Sequence, residues 1–227
     1  MAVEKKFIIK ALDDLEVKSF LFRELERAGV STINIQRTPI ATRISICVRK
    51  PGMVVGKRGK AIKDLCDDLQ ARFRIENPQI EIIEVMQADL DAKLVAERIG
   101  KQIELRPRVK PIVRIALNEI MDAGAIGAEI RVAGKIVGKG GKAKTVSVRK
   151  GYLKKSGEPM NLVRVGRYVA HLKAGCIGVT VKIVAPETVF PDKIKIKRRA
   201  AEPVAQATPA AVEASAPEAE AKEEVIP

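Results

Sequence analysis

Two glycines three residues apart, Gly56 and Gly59, stand between a stretch of alternating apolar residues and a stretch of helically spaced ones, and they bracket Lys57 and Arg58. A chain that changes from strand period to helix period over so few residues needs backbone freedom there, which glycine supplies through positive φ. The same missing Cβ lets a ligand approach closely, and the amides that open the next helix point at an anion. Lys57, Arg58 and Lys60 add charge where phosphates would lie. This stretch reads as a clamp for a nucleic-acid backbone. Its bland alternative is a glycine turn with exposed cations.

The surroundings favour the clamp. Val17, Phe20, Leu21, Leu25 and Ala28 recur at helical spacing and Gly29 follows, which suits a helix end. Ile33 and Ile35 alternate with polar neighbours, as do Ile44, Ile46 and Val48 after Pro39, so a hairpin is expected. Beyond the loop, Ile62, Leu65, Cys66, Leu69 and Phe73 mark one helix face. Asn77 and Pro78 are expected to end that helix before a strand through Ile80, Ile82, Ile83 and Val85. Helix, strand, strand, loop, helix, strand makes a small α+β domain of about ninety residues. In this setting the Gly-x-x-Gly loop resembles that of the KH module, which clamps about four nucleotides of a single strand. Bases are expected between the loop and the adjoining sheet face, held by shape and small apolar side chains. With five Phe, two Tyr and no Trp in the chain, an aromatic stacking platform is not the device.

A second unit comes next. Helical patterns cover residues 90 to 105 and 109 to 123, the latter with Ile112, Ile115, Ala116 and Ile120 on one face and Gly124 at its end. Alternation then recurs around Ile130 and Val132, around Val146 and Val148, from Val163 to Leu172, and from Ile177 to Ile183. Two helices on an antiparallel sheet of about four strands is the economical architecture. Beyond Arg199 the chain turns to Ala, Pro and Glu with almost no large apolar side chain, and it is expected to be disordered.

Charge narrows the partner. Lys and Arg number 42 against 28 Asp and Glu, a net +14 with a pI near 9.8. Residues 200 to 227 hold six glutamates and one lysine, so the first 199 residues carry +19. Such an excess binds polyanions through counterion release. A lipid surface is the weaker reading, because no run of roughly 18 apolar residues spans a bilayer and the opening residues lack a signal-peptide core. The chain is expected to be soluble and intracellular, without a membrane partner. Cys47, Cys66 and Cys176 lie far apart with no Cys-x-x-Cys pair, which argues against a disulfide framework or a zinc site. Cys66 reads as small buried packing.

Two further basic clusters are candidate RNA contacts. Lys135, Lys139, Lys142, Lys144, Arg149, Lys150, Lys154 and Lys155 succeed one another with no acid between Gly134 and Gly157. An uncompensated run of this kind repels itself, and folding alone gives no reason to accumulate it. Gly138, Gly140 and Ala143 imitate a dinucleotide fingerprint, with Glu158 at a tempting distance. The residues after Ala143 are β-branched and cationic rather than an amphipathic helix, and no Gly-Lys pair meets the P-loop spacing. Arg106, Arg108, Lys110 and Arg114 form the other cluster, around the start of a helix near residue 109, where cations oppose the macrodipole at small, salt-screened cost.

Catalytic constellations are not evident. His171 is the single histidine, sits in an alternating pattern, has no nearby Ser or Cys that suggests a nucleophile pair, and reads as a sheet-face residue. Asp13-Asp14 and Asp67-Asp68 read as solvated helix faces. The expectation is a protein that is not an enzyme, with no metal, cofactor or small-molecule substrate.

With these residues in view, the chain resembles the archaeal and eukaryotic type of the family of the third protein of the small ribosomal subunit. The likeness spans roughly residues 1 to 190. It rests on the opening segment through Arg37-Thr38-Pro39, on Gly52-Met53-Val54-Val55 with the Gly56 to Gly59 loop, and on the run from Gly124 through Gly134-Lys135 to Gly157-Glu158-Pro159. Gly175-Cys176-Ile177-Gly178-Val179-Thr180-Val181-Lys182-Ile183 completes it. The resemblance implies a type II KH domain at 1–88, an α+β domain at 89–190, and at 191–227 a basic stub with a variable acidic tail. It implies ribosomal RNA of the subunit head as partner, at the messenger RNA entrance. The tenth and fourteenth small-subunit proteins are implied as neighbours, with the fourth and fifth sharing the messenger path, all in the cytoplasm. Lys110 and Arg114 match messenger-facing cations on the corresponding helix, although Pro111 departs from that basic pattern. Two other readings stand beside this one: a free-standing KH regulator of messenger RNA, and an enzyme that cleaves nucleic acid at abasic sites.

Overall fold

The computed structural model describes residues 3–38, 40–106, 108–136 and 141–191, so Lys139 with Gly138 and Gly140, the basic stub and the acidic tail lie outside the described residues. The first part of the chain runs α1 (Val3–Glu24), β1 (Val30–Arg37), β2 (Thr42–Val48), α2 (Pro51–Val55), α3 (Lys60–Phe73) and β3 (Pro78–Glu84). The order in the sheet is β1-β2-β3. β1 and β2 form the expected antiparallel hairpin, with Ile33 opposite Ile46, whereas β3 lies parallel to β2. A parallel pair needs a crossover, and α2, the glycine loop and α3 supply it. Alternation does the rest: Ile44, Ile46 and Val48 of β2 meet Val17 and Leu21 of α1 and Leu65 and Leu69 of α3 in one core. Each such side chain fully removed from water contributes about 1.5–3 kcal/mol.

Three details differ from the sequence reading. α1 begins at Val3, well ahead of the spacing that starts at Val17, and its first half leaves Phe7, Ile8, Leu12 and Leu15 exposed although Ile8, Leu12 and Leu15 recur at helical spacing. The short helix α2, with Pro51 in its first turn, stands between the second strand and the loop. α3 ends at Phe73, capped by Arg74 in the left-handed region, ahead of Asn77-Pro78.

The second part contains α4 (Ala92–Leu105), α5 (Val109–Asp122), β4 (Gly127–Gly134), β5 (Lys144–Gly151), β6 (Arg164–Leu172) and β7 (Gly175–Val184). Its four strands are antiparallel in the order β5-β4-β7-β6. Both helices cover one face: Ile99, Ile103, Val113 and Ile120 pack on Ile130, Val132, Val179 and Val181. Ile115, expected on the buried face of α5, is exposed, and Val113 and Leu117 are buried in its place. Helix α4 crosses β6 closely enough that a Cβ on Gly166 would lie 2.0 Å from the Ala92 carbonyl oxygen. Pro111 sits in the first turn of α5, where its missing N–H costs no helical bond, so the helix runs through it.

The two cores are joined by polar contacts. Lys93 of α4 donates to the Ser31 carbonyl (3.1 Å) and lies 3.3 Å from the centroid of the Phe22 ring. Asp91, which caps α4 through the Lys93 amide, also accepts from the Ser31 hydroxyl. Burial pulls the half-buried Lys93 ammonium below its ordinary pKa, against the opposing pull of Asp91 and Glu97. No helix among the described residues is long and apolar enough to cross a membrane.

Candidate nucleic-acid interface

The glycine loop is built by strain that only glycine accepts. Gly56 has φ 68° and ψ −173°, and a Cβ there would fall 2.7 Å from the Cβ of Ala61. The chain then makes one 3-10 turn over Lys57–Gly59, with Arg58 (φ 54°) and Gly59 (φ 73°) both left-handed. Val54, fully buried, pins the loop's near side to the core, and α3 leaves from its far side. No side chain caps the start of α3 and its first turn carries no acid, so the partial positive charge of its amides stays uncompensated. Lys57, Arg58 and Lys60 are exposed around that start, and among the described residues none has an ion-pair partner. Met53 and Val55 of α2 are exposed beside the loop, and α2 touches edge strand β3, which exposes Ile83.

The second cluster splits across the β4–β5 hairpin. Strand pairing sets Gly134 opposite Lys144, Glu129 opposite Arg149 and Ala128 opposite Lys150. Successive side chains alternate, so Lys144 and Lys150 lie on the helix side while Arg149 lies on the open side. Lys135 and Lys142 are exposed at the hairpin's far end and Lys154 is half-buried. The run is not uncompensated as its local sequence suggests. Glu129 of β4 accepts from Lys155 (2.8 Å) and from Ser147 (3.2 Å), and the Lys155 bond holds its carboxyl below the usual glutamate range. The partner comes from the next strand, 26 residues away, and a scan along the chain cannot see it.

The third cluster meets part of the second. Arg106 ends α4, Arg108 precedes α5, and Lys110 and Arg114 are exposed one turn apart on α5. One turn further on, Asn118 accepts from Lys150 of β5 at 3.4 Å. Lys110, Arg114 and Lys150, which the sequence separates by up to 40 positions, thus share the flank where α5 lies on β5.

Three cations were missed. Arg131, Arg167 and Lys182 share the uncovered face of the second sheet with Arg149 and Lys155. Their signal lay in strand alternation, because each sits one residue out of phase with the buried set. His171 also differs from expectation: the β6–β7 pairing brings its Nδ1 to 3.3 Å from the Cys176 Sγ. Both side chains are exposed, and the nearby Glu104 carboxylate accepts from the His171 backbone N–H (2.9 Å), not from the imidazole. Cys66 is half-buried, its Sγ 3.8 Å from the Pro78 carbonyl oxygen. Burial first, then Asp67, pushes its thiol pKa up.

Comparisons with known proteins fall on the same two parts. Residues 16–90 match the family model described as a KH domain, and residues 99–183 match the model of the ribosomal protein S3 C-terminal domain. Among curated relatives, the small ribosomal subunit protein uS3 of Methanothrix thermoacetophila is 40% identical over 204 residues, covering 89% of this chain and 73% of the relative. That of Methanoculleus marisnigri is 38% identical, with 90% and 89% covered. That of Methanocaldococcus jannaschii is 38% identical, with 87% and 95% covered.

Proposed function

We propose, for a chain that belongs to the small ribosomal subunit protein uS3 family, that RNA is gripped at two places, the Gly56 to Gly59 loop and the basic flanks of the second domain. The chain is a structural, RNA-binding constituent of the small ribosomal subunit. One observation carries the proposed grip. Gly56 occupies a conformation with no room for a Cβ, directly ahead of a helix start whose amides and three surrounding cations have no acidic partner among the described residues. A turn that merely joined two elements would gain nothing from leaving that positive charge bare. Exposed Met53, Val55 and Ile83 offer the apolar contact that bases need once the backbone is held.

The finer assignments extend this reading. The boundary between the domains falls at residues 88 and 89, since Leu90 already belongs to the second core. Lys110, Arg114 and Lys150 face messenger RNA at the subunit's entrance, supported by their common flank and by the unbroken run of α5 through Pro111. The loop holds ribosomal RNA of the head, the tenth and fourteenth small-subunit proteins are neighbours, and the fourth and fifth share the messenger path in the cytoplasm. The chain works by electrostatic clamping, without bond chemistry.

Cross-linking mapped on assembled subunits tests the assignment. Cross-links from the loop to head RNA and from Lys110 and Arg114 to messenger are the expected result. A loop that cross-links to messenger alone, or to neither RNA, overturns it. On a sucrose gradient the chain should travel with small subunits, and a chain found mostly outside them would belong instead to a free-standing regulator.

A further inference from the structure

The helices α4 and α5 cover one face of the second sheet and, among the described residues, leave the other open. Strand register lays out that open face as a lattice. One row across the strands reads Arg149, Glu129, Lys182, Val165. The next reads Ser147, Arg131, Thr180, Arg167, and the third Thr145, Ala133, Gly178, Val169. Neighbouring strands lie about 4.8 Å apart and same-face residues about 7 Å apart along a strand, so Arg131 and Arg167 stand roughly 10 Å from each other. Between them is a cleft of about 520 Å³ with Thr180, Ala133 and Gly178 as its floor. Its single carboxylate, Glu129, is taken by Lys155 and Ser147. Among the described residues, Arg131 and Arg167 have no ion-pair partner.

Gly178 gives the second observation. Other glycines of this sheet are demanded by the backbone: a Cβ on Gly127 would lie 2.1 Å from the Tyr152 carbonyl oxygen, one on Gly166 2.0 Å from that of Ala92, and Gly134 has φ 153°. At Gly178 the nearest atom to a Cβ is the Ala133 carbonyl oxygen at 3.9 Å, an ordinary contact, and its φ is not positive. Glycine inside a strand costs about 0.5–1 kcal/mol, and where the fold does not require it, it marks a close approach from outside.

We propose that this open sheet face is a further RNA-binding surface, separate from the glycine loop, where a phosphodiester backbone lies over Gly178 and Ala133 between Arg131 and Arg167, with Lys182 at its side. The inference rests on the RNA-binding reading above. Guanidinium groups match phosphate oxygens in pairs, and a floor of small side chains admits a backbone that a packed sheet face would hold off. The face continues through Arg149 and Lys135 into the basic hairpin. That is a longer track of one sign than a short acidic peptide would need.

Full-length variants bound to deproteinised small-subunit ribosomal RNA across a salt series test this. Replacing both arginines, Arg131→Ser with Arg167→Ser, should weaken binding at least about tenfold and flatten the log–log salt slope by roughly 1.4–1.8, at 0.7–0.9 for each phosphate no longer neutralised. Gly178→Val should weaken binding while leaving Tm unchanged or raised, since a β-branched residue suits a strand. Unchanged affinity and slope in both variants, with binding abolished in Lys57→Asp/Arg58→Asp, overturns the sheet surface and leaves the loop clamp standing. RNA binding untouched by the loop variant as well removes the loop clamp too and leaves the hairpin and α5 cations as the grip. Normal RNA binding by the sheet variants, combined with failed incorporation into subunits, assigns the face to a neighbouring protein and also overturns the proposal.

Discussion

The glycine loop and the second domain's basic surfaces attract the same kind of ligand by opposite means. In the loop the backbone does the work: Gly56 and Gly59 take positive φ so that helix amides face outward, and the cations only surround them. On the β4–β5 hairpin and α5, side chains do the work, projected from elements that would fold the same way with neutral residues. The loop's function is therefore bound to its conformation, whereas the hairpin's is spread over many contacts of similar size. Mutations should separate the two accordingly.

The largest effect is expected at the loop. Lys57→Asp with Arg58→Asp puts two acids beside a helix start that now carries none, and RNA affinity at near-physiological salt should fall well over tenfold. Both side chains are exposed, so the thermal midpoint should stay where it is. Unchanged affinity breaks the comparison at its first term. On the hairpin the corresponding change is graded. Neutralising Lys142, Lys144, Arg149 and Lys150 should flatten the salt slope by roughly 0.7–0.9 for each phosphate released. An unaltered slope returns those cations to a solvated surface.

Glycine replacements sharpen the point that one region is conformational. Gly56→Ala meets both a glycine-only backbone region and the Ala61 methyl, and it should cost about 2 kcal/mol in stability together with RNA affinity. Gly59→Ala, left-handed but with open space around it, should cost about 1 kcal/mol. Equal costs in denaturant unfolding would show that the crowding by Ala61 carries no weight.

The legibility of each region has its root in the same contrast. The loop lies within four consecutive residues, so its chemistry can be read along the chain, and the strand and helix periods around it place it correctly. Both domains' α+β architecture was legible for the same reason, since buried positions such as Ile44, Ile46 and Val48 recur at the period of their element. Relations across elements escaped. Glu129 compensates Lys155 from a neighbouring strand, Cys176 meets His171 across a hairpin, and Arg131, Arg167 and Lys182 converge only once register is fixed. The first half of α1 escaped for another reason: Ile8, Leu12 and Leu15 do recur at i, i+4 and i+7, but this stripe lies on a different face from Val17 and Leu21 and is left exposed, so the two halves do not read as one continuous face.

The smallest effect tests whether the hairpin's one acid belongs to the fold or to the binding surface. Glu129 is buried while Lys155 is half exposed, so solvent screens the pair and its contribution should be about 1 kcal/mol. Because the folded-state carboxyl lies below its ordinary value of 4.5, that contribution is complete above about pH 4.5 and is lost as the pH falls through the depressed folded value. Wild type and Glu129→Gln should therefore differ in unfolding free energy at pH 7 and converge as acid is added through that window. At pH 7 the same variant should bind RNA slightly more tightly, since it removes the one acid from the basic face and frees Lys155. A Glu129→Gln protein that is as stable as wild type at every pH would mean that the pair contributes nothing to the fold. An unchanged RNA affinity would mean that RNA does not reach Lys155.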